Sequence, residues 1–283
     1  MTVPVDGQTL LTAWQLPAGP VLATCASAGV YGWGVRRLAR RGRRWPAARS
    51  AAFGAGLLTM FVALCSGLAH YDTTVFALHV AQHLLLSMVA PPLLALGAPV
   101  TLALQASRRR TQVTILKVLH SRPVALLTFP VVTWLLFAGS LIGLYATGLY
   151  PATLERPWLH DLVHVHFVVV GLLFFWPVVG IDPARWRLPH GARLLYVLLA
   201  LPFHAIVGLA LVTASTPLWT AHTVSDQQTG GGVMMLFGDL LTLMVFGIVF
   251  VQWMHADERA AARFDAAEGN VPAPPWTGSP SLP

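Results

Sequence analysis

The 283-residue chain is 55% hydrophobic and only 10% charged, with a formal net charge of +7. Because soluble domains usually carry about a quarter charged residues, this composition excludes a water-soluble globular protein and predicts an all-α membrane protein. Two cysteines are too few for a disulfide framework, and the excess of basic residues is explained below by membrane orientation rather than by nucleic-acid binding.

Seven apolar stretches are each long enough for the roughly 20 residues that a membrane-spanning helix needs. In chain order they cover residues 20–38, 50–70, 76–104, 124–147, 158–180, 193–215 and 233–254. The sequence therefore predicts a bundle of about seven transmembrane helices over residues 20–255. We expect an extracellular N-terminal segment, 1–19, before it and a disordered cytoplasmic tail, 256–283, after it, since the end of this tail is rich in proline.

The basic residues alternate between the two sides of the predicted bundle. Seventeen of the eighteen Lys and Arg residues lie in or beside the connections after the first, third and fifth stretches, or in the tail, and only Arg156 lies on the other side. Positively charged loops remain in the cytoplasm, so we predict an extracellular N-terminus and a cytoplasmic C-terminus.

Histidines concentrate near the predicted outer side of the bundle. His79 and His83 are spaced i, i+4 and share one helix face, and His160 and His164 repeat that spacing. At about 1.5 Å of rise per residue, His83 and His164 lie at matched depth on different helices. We therefore expect these rings to meet in the bundle, with Asp161 orienting the ring of His164.

An ionisable residue inside a membrane indicates function by default, but structural interpretations compete with it. Histidines near helix ends, such as His70, His160 and His222, can simply sit at the interface, and His79 and His83 can be core groups bonded to backbone carbonyls. A cluster rich in imidazole and poor in carboxylate suits copper, zinc or haem iron and disfavours calcium and magnesium. Neither HExxH nor CxxC occurs, so the sequence supports neither a zincin protease nor a thiol oxidoreductase.

Four stretches resemble, in order, the motifs of the CtaG-type cytochrome c oxidase assembly factors. They are HVAQHLLLSMVAPPLLALGAP from His79, HDLVHVHFVVVGLLFFWPVVGIDP from His160, LPFHAIVGLAL around His204, and SDQQTGGGVMM from Ser225. The resemblance covers roughly residues 50–255. It implies a multi-pass bacterial plasma-membrane protein that is not an enzyme and that helps to make active haem-copper oxidase by delivering copper.

By position, the resemblance points to a set of metal ligands for copper: His79, His83, His160, His164, His166, His204 and Met234. His166 belongs to the motif although its spacing turns it away from His164, and Asp226 and Gln227 belong to the last motif. The implied partners are haem-copper oxidase subunits, copper chaperones and the lipid bilayer, with no nucleic acid.

Two other functions remain open at this point. Haem b could be held between His83 and His164, or the histidines and Asp239 could form a proton or ion relay in a transporter. In the metal-binding interpretation, we expect Pro91 and Pro92 to kink or end the third helix and to open space beneath the site.

Overall fold

The structure is a computed structural model that describes residues 7–268. Every regular element in that range is helical, which confirms the predicted all-α class. The helices are α1 (Gly7–Thr12), α2 (Ala18–Ala39), α3 (Ala47–Cys65), α4 (Gly67–Tyr71), α5 (Phe76–Leu84), α6 (Ala90–Leu96), α7 (Pro99–Ala106), α8 (Arg109–Leu119), α9 (Arg122–Leu127), α10 (Pro130–Tyr145), α11 (Leu149–Glu155), α12 (Pro157–Val179), α13 (His190–Leu198), α14 (Leu201–Thr213) and α15 (Val224–Glu268). A π-helical turn, Leu85–Val89, joins α5 to α6.

The chain is a membrane protein by the length and apolarity of its helices. Five segments of the described range can cross a membrane: Ala47–Tyr71, Phe76–Ala106, Pro157–Val179, His190–Thr213 and Val224–Phe264. A sixth candidate arises if α10 and α11, which meet at 67°, form one span. The predicted count of seven is not confirmed, because α2 is 22 residues long but carries Arg36, Arg37 and many small residues and is outside this group.

The last helix extends beyond its predicted end. α15 continues to Glu268, so residues 256–268 are helical, whereas the sequence predicts a disordered tail there. Their sequence is rich in Ala, Arg and Glu, which have high helix propensity. The Pro-rich end of the predicted tail lies outside the described residues.

Tertiary contacts join the basic connections at one end of the bundle, which we call the arginine-rich end: residues 40–46, 107–121 and 180–189. Arg41 donates to the carbonyl oxygen of Gln105 at 3.3 Å. The carboxylate of Asp182 accepts from the backbone N–H groups of Val100 and Thr101, at 3.1 and 2.7 Å, and so caps the first turn of α7.

The opposite end, which we call the histidine end, is formed by residues 7–17, 66–75, 146–156 and 214–223. The N-terminal segment packs here, because the backbone N–H of Gln15 donates to the carbonyl oxygen of Cys65 at 2.8 Å. The amide of Gln15 also lies 3.0 Å from Nδ1 of His70. The described part of the predicted N-terminal segment is therefore attached to the same end as the histidines.

The third predicted span keeps its helical path through Pro91 and Pro92, so of the two predicted outcomes, a kink or an end, these prolines do not end the helix. The π-helical turn precedes them, and within it the hydroxyl of Ser87 donates to the carbonyl oxygen of His83 at 2.7 Å. The carbonyl groups that Pro91 and Pro92 leave without an α-helical donor, those of Ser87 and Met88, both belong to this π-helical turn. The helix breaks only at Ala98, whose φ is 49°, before α7 begins.

The expected open space beneath the histidines is filled by α12. Gly171 of α12 packs against the π-helical turn, where an added Cβ would collide with the carbonyl oxygen of Ser87 and would lie 2.6 Å from Cγ of Pro91. Only a glycine permits so close an approach of two backbones. The third span and α12 are consequently held in tight contact directly beneath the histidines.

Candidate metal centre

Four of the seven predicted ligands form one cluster, the histidine quartet: His79 and His83 from α5, and His160 and His164 from α12. The ring centroids within each helix lie 4.0 Å apart for His79–His83 and 4.3 Å apart for His160–His164. Between the helices, His79–His160 and His83–His164 are 5.5 and 5.4 Å apart. All four side chains are buried. The two i, i+4 pairs thus lie side by side between α5 and α12, and their assignment as metal ligands stays a prediction.

The ring nitrogens of the quartet differ in their hydrogen bonding. Nδ1 and Nε2 of both His79 and His83 are buried and have no hydrogen-bond partner among residues 7–268, and the same holds for Nε2 of His160. A buried polar atom without a partner costs free energy, and most such atoms in proteins are satisfied. Five unpartnered nitrogens in one cluster therefore indicate a site that is arranged to bind something.

A polar chain extends from His164 to Asp72. Nε2 of His164 lies 3.1 Å from Oε1 of Gln82, and Nε2 of Gln82 donates to Oδ2 of Asp72 at 3.1 Å and to the carbonyl oxygen of Ala63 at 2.9 Å. The expectation that Asp161 orients His164 is therefore wrong. Asp161 is exposed one turn from the ring, and Gln82 takes that role instead.

Asp72 is a buried carboxyl group in the connection between α4 and α5. Burial raises the pKa of Asp72 to about 7, against the opposing effect of hydrogen bonds from the Gln82 amide and the Thr73 backbone. A neighbouring cation favours the ionised form of such a group. Asp72 is thus suited to provide a negative charge when a positive ion binds beside it.

Two overlapping sets of donor atoms have the proximity that a metal ion requires. The ligand atoms of His79, His83 and His160 lie within 4.8 Å of one another, and so do those of Asp72, His160 and His164. Ligands of a tetrahedral ion stand about 2.0–2.2 Å from the metal, so small side-chain rotations would close either set. Imidazole nitrogen suits copper and zinc, and the single carboxylate adds a ligand that zinc and Cu(II) accept.

A second polar network borders the quartet and positions α5. The hydroxyl of Tyr150 lies 2.6 Å from Nε2 of His222, and Nδ1 of His222 lies 3.2 Å from Oδ2 of Asp226. Asp226 also accepts from the backbone N–H groups of Phe76 and Ala77, at 2.8 and 3.3 Å, and so caps the first turn of α5. The ring of Tyr150 is 4.8 Å from that of His79.

The model of the family described as cytochrome c oxidase caa3 assembly factor matches residues 29–256. The chain belongs to this family. The match includes the whole quartet, Asp72, Gln82 and the Tyr150–His222–Asp226 network, and the resemblance found in the motifs is confirmed. The role by which this family is described is assembly of a cytochrome c oxidase.

Uncharacterized proteins of three mycobacteria are similar to this chain over most of its length. Those of Mycobacterium bovis and Mycobacterium tuberculosis are each 34% identical to it over 276 residues, which is 90% of this chain and 42% of the relative. An uncharacterized protein of Mycobacterium leprae is 33% identical over 273 residues, which is 90% of this chain and 41% of the relative. The chain thus spans about two fifths of the length of these relatives, and no solved structure matches it.

The other three predicted ligands lie away from the quartet. His166 is exposed on the far face of α12, where its Nε2 lies 2.7 Å from the hydroxyl of Ser140. His204 is buried beside Phe137 and lines a cavity of about 20 Å³ that Ser87 and Phe167 also border. Met234 is buried on α15 in the main hydrophobic core.

Two residues of the candidate centre were not predicted as site residues. Gln82 is a fully buried amide one residue before His83, and Asp72 is a buried acid outside the apolar stretches. A polar side chain between two histidines of an apolar span was a usable signal for Gln82. The chain path that returns Asp72 to the cluster depends on α4 and was not visible in any pattern.

Proposed function

We propose that this assembly factor is a non-enzymatic copper-binding protein that passes copper to a haem-copper oxidase during its maturation. The quartet is the binding site, and Cu(I) is the cargo. The observation that carries the proposal is the set of four buried ring nitrogens of His79 and His83 that have no hydrogen-bond partner among the described residues. His160 provides the third ligand, because its Nε2 is also unpartnered.

The donor chemistry fits Cu(I) for two reasons. Imidazole is a good ligand for copper, and three neutral imidazoles leave the bound ion with a single positive charge in a low-dielectric bundle. The family role is assembly of a cytochrome c oxidase, and copper is a component of haem-copper oxidases that this donor set can hold. The partners are then the oxidase subunits and the copper chaperones that supply the metal.

The proposed orientation places the quartet at the outer face of a bacterial plasma membrane. Seventeen of the eighteen basic residues lie on the opposite side, which supports a cytoplasmic arginine-rich end and, with α2 as a seventh span, an outer N-terminus. Reporter fusions after Arg110 and Arg263 should report the cytoplasm, and fusions at Asp72 and Gln228 should report the exterior. An exterior signal at Arg110 would contradict this orientation.

Haem b and proton transport receive less support from the geometry. The ring of His83 contacts those of His79 and Phe167, with centroids 4.0 and 4.8 Å apart, so a porphyrin around an iron between His83 and His164 would overlap these side chains. Asp239, the acid proposed for a transporter, lies on α15 among apolar residues and is not a member of either donor set.

The proposal is tested by Cu(I) competition between the purified protein and a chelator of known affinity under anaerobic conditions. We expect one tightly bound Cu(I) per chain and weaker binding below about pH 6, because a protonated imidazole cannot ligate a metal. His166→Ala is the matched control, since this histidine belongs to the same helix but faces away from the quartet. Binding that is absent, or that ignores pH between 5 and 7.5, would contradict the proposal.

A further inference from the structure

We propose a second metal site beside the first, formed by Asp72, His160 and His164, that takes a divalent transition-metal ion of the Zn²⁺ or Cu²⁺ class. The inference rests on the proposed function in treating the quartet as a metal centre. It adds a carboxylate ligand, a different cargo ion and a shared residue, His160, through which the two sites influence each other.

The first support is the geometry of the donors. The ligand atoms of Asp72, His160 and His164 lie within 4.8 Å of one another, and all three side chains are buried. Two imidazoles with one carboxylate are a ligand set that Zn²⁺ accepts in proteins. Asp72 comes from the connection before α5, and the two histidines come from α12, so the tertiary fold brings this set together.

Gln82 prepares His164 for such an ion. Its Nε2 is committed as a donor to Asp72 and to Ala63, so its Oε1 accepts, and Nε2 of His164 must carry the proton of that hydrogen bond. The lone pair of neutral His164 is then on Nδ1, which is the nitrogen that would bind a metal. Metal-binding histidines commonly donate their other ring N–H to an oxygen in this way.

The charge of the ligands determines which ion suits each site. Three neutral imidazoles and Cu(I) carry a net charge of one, and so do two neutral imidazoles, an ionised Asp72 and a divalent ion. Burial penalises net charge steeply, so a divalent ion is favoured where the carboxylate can offset half of its charge. The all-histidine set therefore suits Cu(I), and the set that contains Asp72 suits the divalent ion.

Because both sets include His160, an ion in one set weakens binding in the other. Thermodynamic linkage makes this effect reciprocal: Zn²⁺ should lower the affinity for Cu(I) by the same factor by which Cu(I) lowers the affinity for Zn²⁺. A shared ligand is also the shortest route by which an ion could exchange between neighbouring sites.

The test uses the full chain in detergent, with Cu(I) and Zn²⁺ titrated separately against chelators and then together. We expect Asp72→Asn to lower the Zn²⁺ affinity at least about tenfold while the Cu(I) affinity stays within about threefold. His83→Ala should do the reverse, His160→Ala should weaken both, and excess Zn²⁺ should weaken Cu(I) binding in the wild type but not in Asp72→Asn.

Two control variants show whether a loss of metal affinity is caused by misfolding. Asp72→Glu keeps the carboxylate and should retain most of the Zn²⁺ affinity, whereas Asp161→Asn removes the exposed carboxylate next to His160 and should change neither affinity. Unchanged Zn²⁺ binding in Asp72→Asn, or Zn²⁺ binding that is absent from the wild type, would overturn the second site. Zn²⁺ binding that depends on Asp72 without any Cu(I) binding would instead overturn the proposed function and leave the second site standing.

Discussion

His222 and His79 are both buried histidines at the histidine end, and both contact the ring of Tyr150, yet their ring nitrogens have different surroundings. His222 has Tyr150 on one nitrogen and Asp226 near the other, so its ring is part of the scaffold that caps α5. His79 has no hydrogen-bond partner on either nitrogen among residues 7–268. Both ring nitrogens of His79 thus lack a hydrogen-bond partner among these residues, whereas only Nδ1 of His222 does, and that nitrogen lies 3.2 Å from a carboxylate oxygen of Asp226.

The largest effect is expected from a substitution at His79 or His83, whose ring nitrogens have no hydrogen-bond partner among the described residues. His83→Ala should lower the Cu(I) affinity by at least about 100-fold and should prevent the build-up of active haem-copper oxidase in cells, because it removes a ligand. The variant should still accumulate in the membrane, since its span becomes less polar. Oxidase activity, cell copper and the membrane level of the protein would be measured together, with His164→Ala in parallel.

Normal accumulation with full oxidase activity in both variants would show that the quartet is not the functional centre. The comparison between partnered and unpartnered histidines would then have no functional meaning.

Gly171→Ala should cause the next largest effect, on stability rather than on ligands. Its Cβ would meet the carbonyl oxygen of Ser87, so we expect a loss of about 1–3 kcal/mol in the free energy of unfolding, the usual range for overpacking. Gly143→Ala on α10 is the matched control, because an added Cβ there meets no atom within 4 Å. Thermal unfolding in detergent measures both, and equal midpoints would contradict the close contact between the π-helical turn and α12.

His222→Ala should destabilise the fold by about 1–3 kcal/mol, because it leaves the buried hydroxyl of Tyr150 without its partner. The Cu(I) affinity of the folded variant should stay within about threefold of the wild type, since Asp226 still caps α5 through Phe76 and Ala77. Thermal unfolding and Cu(I) competition on one preparation give both numbers. A loss of copper binding as large as that in His83→Ala would move His222 from the scaffold to the ligands.

The smallest effects should come from histidines outside the quartet. His166→Ala, His190→Ala and His255→Ala should each leave copper binding unchanged and oxidase activity near that of the wild type. His166 is exposed and lies 2.7 Å from the hydroxyl of Ser140, and His255 is an exposed partner of Glu258. Oxidase activity in cells is the readout. A strong defect in His166→Ala would indicate that His166 is a metal ligand, as the motif resemblance implies, although it lies away from the quartet.

Local geometry explains what could be predicted from the sequence. The pairs His79–His83 and His160–His164 followed from helical spacing, which depends on only a few residues. Their meeting followed from equal depth, because the alternation of arginines set the direction of each span. The family itself was evident from the order of four motifs.

Long-range contacts explain what could not be predicted. Asp72 is joined to His164 by hydrogen bonds through Gln82, and its position beside the ring depends on how α4 turns the chain after Cys65. The continuation of the helix through Pro91 depends on its packing against Gly171, which is 80 residues away in sequence. The count of seven spans depended on α2, where Arg36 and Arg37 and the small residues reduce the apolarity that the other spans have.

The π-helical turn at Leu85–Val89 also determines how far α5 is rotated relative to α6 about the helix axis. An α-helix turns by about 100° per residue, and a π-helical turn takes in more residues per turn, so the five residues 85–89 rotate the chain roughly as far as four α-helical residues would. If residues 85–89 took regular α geometry with no residue removed, His79 and His83 would be rotated by roughly a quarter turn relative to α6. That rotation would carry them away from α12 and separate the two halves of the quartet. The turn is thus the element that keeps the histidine face and the proline face of the third span in register with the same neighbouring helix.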